Sequence, residues 1–195
     1  MVVMSSEANN KIPHIYFDTN FVIDISSGKS LSCHILEEAK KKKWRYYVSI
    51  FCMMEAFDIK QEHFFFNKKV SIGESLKRII SKRRERDLSE SDLKEIKDIL
   101  TNKLFKPHEM DHAYYFEDSD TWKMCLEITR DTNITASDAI HLATALALNC
   151  DILITSDIPF IIEGNRYIRK KKLENKLVLC TPEKFYDALR DRGFV

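Results

Sequence analysis

The sequence predicts an α/β fold built around a mainly parallel β-sheet. Short runs rich in aromatic and β-branched residues alternate along the chain with longer segments whose apolar residues recur at helical spacing. One of the short runs, "DILITSD" (151–157), is apolar in the way that is typical of a strand buried on both faces. The 195 residues can bury a substantial core, and no linker or internal repeat divides them, so we expect a single domain over residues 1–195.

The first third of the chain predicts the order βαβα. "HIYFD" (14–18) is a short buried strand, and a helical segment follows it through Leu36 to a basic end at residues 40–43. Basic residues in the last turn suit the negative end of a helix dipole. "WRYYVSI" (44–50) is a second strand by its aromatic and β-branched content, and "FCMMEAFDIKQEHFFF" (51–66) returns to helical spacing.

Residues 67–106 differ in composition from the segments on either side. Charged residues are dense here, and no aromatic residue occurs before Phe105. We interpret this segment as an inserted set of amphipathic helices that packs on the main body with one side, and Ser89 or Ser91 is the expected N-cap of one of them. The apolar face of that helix contains Leu93, Ile96, Leu100 and Leu104.

The last third predicts two helices, two strands and a final helix. "DTWKMCLEITRD" (120–131) and "TASDAIHLATALALNC" (135–150) are helical, "DILITSD" (151–157) is a strand, and "KLVLCTPEKF" (176–185) contains a short strand and the start of the last helix. Strands alternating with helices favour parallel strand pairing, because each helix carries the chain back across the sheet.

Composition excludes several classes of protein. The formal net charge of +1 gives no overall attraction to nucleic acid or membrane, so such a partner needs a local patch. The five cysteines are scattered without a CxxC pair, which argues against a disulfide framework or a thiolate zinc site. The first residues lack the apolar run of a signal peptide, and no stretch approaches the length of a membrane span. We therefore expect a cytoplasmic protein with no membrane contact.

Two aspartates stand at the predicted carboxyl ends of strands. Asp18 ends the first strand, and Asp157 ends "DILITSD" in the same way. If these strands are parallel, both carboxylates lie at the sheet edge where open α/β folds bind ligands. Asp151 begins the same strand and lies about 20 Å from Asp157 at 3.3 Å per residue, which excludes Asp151 from this site.

Two further acids come from predicted helix starts. Asp138 lies in the first turn of the helix that begins near residue 136, and Glu55 lies six residues beyond Ser49. Helices that pack on a parallel sheet point their N-termini to the same carboxyl edge. Carboxylates that cluster without cysteine or paired histidines suit hard cations such as Mg²⁺ or Mn²⁺, whose coordination is often completed by phosphate oxygens.

Each acid also has a purely structural interpretation. Asp18 can form an ordinary turn, and an acid at the position of Asp138 is common at a helix start. His141, three residues after Asp138, can hydrogen-bond to that carboxylate, but we favour a packed histidine satisfied locally. The convergence of four acids on one edge is what favours a functional site.

The segments that carry these acids resemble the PIN domain family of metal-dependent nucleases, which includes VapC-type toxins. The resemblance lies in "FDTNFVID", in "VSIFCMMEAF" and in "SDAIHLATALALNCDILITSDIPF". It implies a three-layer α/β/α fold and a ribonuclease that uses Mg²⁺ or Mn²⁺. The residues implied as catalytic groups and metal ligands are Asp18, Glu55, Asp138 and Asp157, with Asn20 as a polar helper in substrate binding.

The resemblance also implies partners: RNA, a second copy of the chain in a homodimer and, for a toxin, an antitoxin protein. Two basic runs are candidates for contact with the RNA backbone, "SKRRER" (81–86) and the run that contains Lys170, Lys171 and Lys172. A solvated surface explains such runs equally well. The alternative function is a PIN-like fold kept as a non-catalytic module that binds RNA or protein.

Overall fold

The computed structural model describes residues 12–105, 111–113 and 119–191. Within them, five strands form one sheet in the order β3-β2-β1-β4-β5, and every neighbouring pair is parallel. The parallel α/β sheet predicted from the sequence is therefore confirmed. The strands are β1 (His14–Phe17), β2 (Arg45–Ser49), β3 (Asp111–Ala113), β4 (Ile152–Ile154) and β5 (Val178–Cys180).

Strand β3 was not predicted. It is only three residues long and lies at the sheet edge beside β2, where Val48 is in register with His112. The sequence "DHA" offers neither alternation nor an apolar run. Its strand conformation therefore depends on pairing with β2 rather than on local propensity.

The described residues form nine α-helices. Sequence predicted one helical segment between the first two strands, but the structure has two, because the chain turns at Gly28, which adopts a left-handed φ of 72°. The helices are α1 (Thr19–Ser26), α2 (Ser30–Lys41), α3 (Ile50–Ser71), α4 (Leu76–Ser81), α5 (Glu90–Asp98), α6 (Ser119–Asp131), α7 (Ala136–Ala147), α8 (Ile158–Lys170) and α9 (Pro182–Asp191).

Alternate strand residues face two separate cores. Ile15 and Phe17 of β1 pack with α1, α2, α3, α5 and α9, whereas Tyr16 between them packs with α6, α7 and α8. The same alternation divides β4, where Leu153 faces the second group of helices. Helices therefore cover both faces of the sheet in three layers, which is the α/β/α arrangement expected for strands that are apolar throughout.

The charged insertion is continuous with the main body. Helix α3 runs without a break through residue 67 to Ser71, so the change in composition there is not a structural boundary. Ser89 caps α5 in a capping box with Asp92, and the apolar face continues into a π-helical turn (Ile99–Phe105). Ile96, Leu100 and Leu104 join the first core, as predicted, while Leu93 stays 37% exposed.

Helix α8 was not predicted from the sequence, in which only its basic end was noted as a candidate RNA contact. Its signals are present: Asp157 is the N-cap, Pro159 lies in the first turn, and apolar residues recur at helical spacing. Phe160, Ile161, Tyr167 and Ile168 are buried in the second core. No helix in the described part of the chain is long and apolar enough to cross a membrane.

Candidate functional site

The chain order of the sheet reverses between β1 and β4, and the candidate site lies at the carboxyl ends of these two strands. Phe17 is in register with Ile154, and the Asp18 amide donates to the Ile154 carbonyl over 3.1 Å. Asp18 is 3% exposed, and its Oδ2 accepts a 2.7 Å hydrogen bond from Thr155 Oγ1. Such a reversal point is where open α/β sheets form a ligand crevice.

Asp157 follows three residues after β4 and caps α8. Its Oδ1 accepts a hydrogen bond from the Phe160 amide at 2.9 Å, and its own amide donates to Thr155 Oγ1 at 3.0 Å. Thr155 therefore links Asp18 and Asp157 at one sheet edge. Asp151 lies at the opposite edge, where its Oδ2 accepts from the His14 amide at 2.9 Å, in agreement with its exclusion from the site.

Asp138 approaches the same edge from the start of α7. Thr135 Oγ1 accepts from the Asp138 amide, and Asp138 Oδ2 accepts from both the amide and the hydroxyl of Thr135, which forms a capping box. Burial raises the pKa of Asp138, and the negative charges of Asp157 and Asp18 raise it further. Asp138 is thus close enough to both Asp18 and Asp157 to be affected by their charges.

Glu55 is held differently from the three aspartates. Its Oε2 accepts from Thr19 Oγ1 at 2.6 Å and lies 2.8 Å from His141 Nε2, and its Oε1 accepts from Ser137 Oγ. Burial acts to raise the pKa of Glu55, but these hydrogen bonds from His141, Ser137 and Thr19 lower it overall. Both oxygens of the ionised carboxylate are therefore engaged within the protein.

His141 is the residue that sequence reasoning underestimated. It is 1% exposed, and its Nε2 lies 2.8 Å from Glu55 Oε2 and 3.3 Å from Asp18 Oδ1. Its carboxylate partners are therefore Glu55 and Asp18 rather than Asp138, which the sequence spacing suggested. A histidine three residues after a helix-start acid was the available signal. Its partners could not be inferred, because they come from segments more than 80 residues away.

Both ring nitrogens of His141 lie within hydrogen-bond distance of polar side chains. Nδ1 lies 2.8 Å from the Tyr16 oxygen, and Tyr16 donates its hydroxyl to Ser49 Oγ over 2.9 Å. The other nitrogen, Nε2, faces two carboxylates and needs a proton to avoid lone-pair repulsion. Burial acts to lower the pKa of His141, but the charges of Asp18 and Glu55 raise it overall.

The remaining predicted residues are placed at unequal distances from the site. Asn20 is exposed in the first turn of α1, two residues from Asp18. The lysine run lies at the far end of α8, about 20 Å from Asp157 at 1.5 Å per residue. Lys171 pairs with Glu127 and lies 3.4 Å from Asp131, while Lys170 lies 3.7 Å from Asp131. The structure does not bring these lysines to the carboxylates.

The donor set suits a hard divalent cation. Asp138 and Asp157 each use one carboxylate oxygen in the hydrogen bonds described above, and their mutual repulsion with Asp18 favours bound positive charge. In the described ranges, no three His, Cys, Asp or Glu side chains already form a ligand cluster. Cation binding would therefore have to draw the aspartates closer together.

No protein-family model matches the sequence, and no curated protein matches it. The function must therefore be inferred from the arrangement of these side chains.

Proposed function

We propose that the protein is a metal-dependent ribonuclease of the PIN type. The observation that supports this is the convergence of Asp18, Asp138 and Asp157 at the β1/β4 reversal point, close enough for the charges of two to raise the pKa of the third. A pocket of repelling carboxylates is unfavourable alone, and a Mg²⁺ or Mn²⁺ ion with a phosphate group compensates for it.

Asp18, Asp138 and Asp157 would hold the cation. Each is fixed by a short local contact: Asp18 by Thr155, Asp138 by Thr135, and Asp157 by the Phe160 amide. A bound divalent cation would supply charge neutralisation at the phosphodiester and a lowered pKa for water. These contacts hold the three carboxylates at one sheet edge, and a bound cation would draw them closer together.

Glu55 and His141 have a positioning role in this proposal. The imidazolium of His141 lies between Glu55 and Asp18, so it offsets part of the negative charge and fixes both side chains. Thr19 and Ser137 complete the hydrogen bonds of Glu55. With both its oxygens engaged, Glu55 is better suited to orient Thr19 and His141 than to bind a cation directly.

The test is cleavage of a mixed, structured RNA by the purified protein with Mn²⁺, with Mg²⁺ and with EDTA. Asp157→Asn should reduce metal-dependent cleavage by more than about a hundredfold, since even outer-shell changes at metal sites cost up to about that much. Asparagine is an equally good N-cap, so helix α8 keeps its start.

Asp151→Asn is the matched control, because it makes the same chemical change at the other end of β4, where the amide oxygen can still accept from His14. It should leave cleavage unchanged. Equal losses in both variants would reject the carboxylate site. If the wild-type protein and Asp157→Asn bind RNA equally and neither cuts it, the non-catalytic module becomes the better account.

A further inference from the structure

A polar cavity of about 670 Å³ opens between α3 and the loop that follows α4. Its lining contains three arginines and one acidic residue, and two of the arginines are also ion-paired with acids of α3. We call this feature the arginine cleft. It is lined by Gln61, Arg83, Arg84, Glu85 and Arg86.

Helix α3 contributes residues both to the carboxylate site and to the surroundings of the arginine cleft. Glu55, Asp58 and Glu62 are spaced at i, i+3 and i+7, so they share one face of this helix. Asp58 and Glu62 bind arginines of the cleft, while Glu55 belongs to the carboxylate site. At 1.5 Å per residue the two acids lie about 5 Å and about 10 Å along the helix from Glu55.

Two of the arginines are held in place through part of their donor groups. Arg86 binds both carboxylate oxygens of Asp58, and its Nη1 also donates to the Asp58 carbonyl over 3.3 Å. Arg83 binds Glu62 through Nε and Nη2. A guanidinium has five N–H donors, so each arginine keeps donors for a ligand while its position is already fixed.

The third arginine and the loop backbone also indicate that the cleft can bind a ligand. Arg84 is exposed, and within the described ranges its guanidinium has no ion-pair partner. Arg86 adopts a left-handed φ of 35°, a conformation that costs energy for a residue with a side chain. This backbone conformation lies in the loop that brings Arg83, Arg84 and Arg86 to one cavity.

From this geometry we infer that the arginine cleft binds backbone phosphates of single-stranded RNA beside the carboxylate site. Arginine forks match phosphate oxygens, and their fixed orientation reduces the entropy lost on binding. The inference rests on the proposed function in that the ligand is taken to be its RNA substrate. Phosphates held one to two helical turns from Glu55 would place the neighbouring chain at the three aspartates.

The lysine run provides the matched comparison, because it carries similar charge at the far end of α8. Binding would be measured by fluorescence anisotropy, with a fluorescein-labelled oligouridine of about 12 nucleotides and Mg²⁺ over a series of salt concentrations. All proteins would carry Asp157→Asn, so the RNA stays intact. Arg83→Gln/Arg84→Gln is compared with Lys170→Gln/Lys172→Gln, which removes the same number of charges.

The arginine double variant should bind about tenfold more weakly, and the slope of log K against log salt should fall by about 1.4, which is the loss of two contacts on a single strand. The lysine double variant should change affinity by less than about twofold. Arg83→Lys/Arg84→Lys keeps the charge and should restore most of the slope. Circular dichroism and thermal unfolding verify that each variant is folded.

Unchanged binding in the arginine variant, an equal loss in the lysine variant, or no binding by the Asp157→Asn parent would each overturn the inference. The failure of this inference can be distinguished from the failure of the proposed function. If RNA binds through the arginines but the wild-type protein never cuts it, the cleft is supported as an RNA site and the nuclease is rejected. If the arginine substitutions leave RNA affinity and cleavage unchanged in a protein that retains Asp157, the nuclease is supported and the cleft is rejected.

Discussion

His141 connects the two sides of the site at the level of a single residue. Through its two ring nitrogens it contacts Tyr16 of β1 and Glu55 of α3, and it lies 3.3 Å from Asp18. A buried imidazolium among carboxylates is stable only while both partners are ionised and the proton stays on the ring. The charge state of this one side chain should therefore be visible in the stability of the whole protein.

The pH dependence of unfolding should reveal the raised pKa of His141. A group whose pKa is higher in the folded state stabilises the fold fully below its unfolded pKa, about 6.5 for histidine, and loses that contribution as pH rises through the folded value. Compared with His141→Gln, the wild-type protein should thus show its largest excess free energy of unfolding at or below about pH 6.5.

Urea unfolding of both proteins between about pH 5.5 and pH 9 measures that difference. Glu55, whose pKa is lowered, remains ionised in the folded state over this range and does not disturb the comparison. The excess should shrink steadily above about pH 6.5. Two curves that run parallel over the whole range would show that His141 is neutral in the folded protein.

At the level of elements, helix starts position most of the site. Ser49 caps α3, Thr135 and Asp138 form the capping box of α7, and Asp157 caps α8. These helices all begin at the carboxyl edge of the parallel sheet, so the residues that cap them also lie at the site. Capping and function are therefore difficult to separate in this sequence without the structure.

The N-caps Ser49 and Ser89 allow a direct comparison of a buried cap with an exposed one. Ser49 is 1% exposed and accepts from both the Cys52 amide and the Tyr16 hydroxyl, each at 2.9 Å. Ser49→Ala removes a cap and leaves a buried phenol unpaired, so we expect a loss of about 2 kcal/mol in the free energy of unfolding.

Ser89 is exposed and accepts from the Asp92 amide of its own segment, so Ser89→Ala should cost about 0.5–1 kcal/mol. Chemical denaturation of the two variants at one pH gives both values. Equal losses would mean that the hydrogen bond from Tyr16 to Ser49 contributes nothing to stability. The predicted order also requires the slope of the denaturation curve to remain unchanged.

At the level of the whole molecule, the two cores determine which groups are accessible. Four of the five cysteines are buried, and Cys33 is the partly exposed one. Burial raises the pKa of Cys150 to about 12 and that of Cys180 to about 12, and it also raises the pKa of Cys52 and Cys125. Thiols are nucleophilic only as thiolates, so these four should be unreactive while the fold is intact.

Thiol titration with a disulfide reagent near pH 8 should therefore label Cys33 rapidly in the native protein and all five cysteines in denaturant. Cys33→Ser should abolish the rapid reaction. Rapid labelling of more than one thiol in the native protein would show that one of the cores opens readily. The rate of the slow labelling then reports how often each core opens.

Much of the fold could be predicted from local patterns. Apolar and β-branched runs in the sequence identify the strands β1, β2, β4 and β5, and a stripe of small and apolar residues identifies α7. Helix α8 could have been predicted from Asp157, Pro159 and its apolar spacing. Strand β3 could not, because three polar or small residues become a strand only beside β2.

The sequence by itself determined the alternation of strands and helices and placed Asp18, Asp138 and Asp157 at element ends, since periodicity and capping act over a few neighbouring residues. Only the tertiary structure decided which groups meet. Tyr16 and His141 are 125 positions apart and yet hydrogen-bonded, and Thr155 and Asp18 are hydrogen-bonded across 137 positions. Such distances depend on the order of strands in the sheet, which no local pattern encodes.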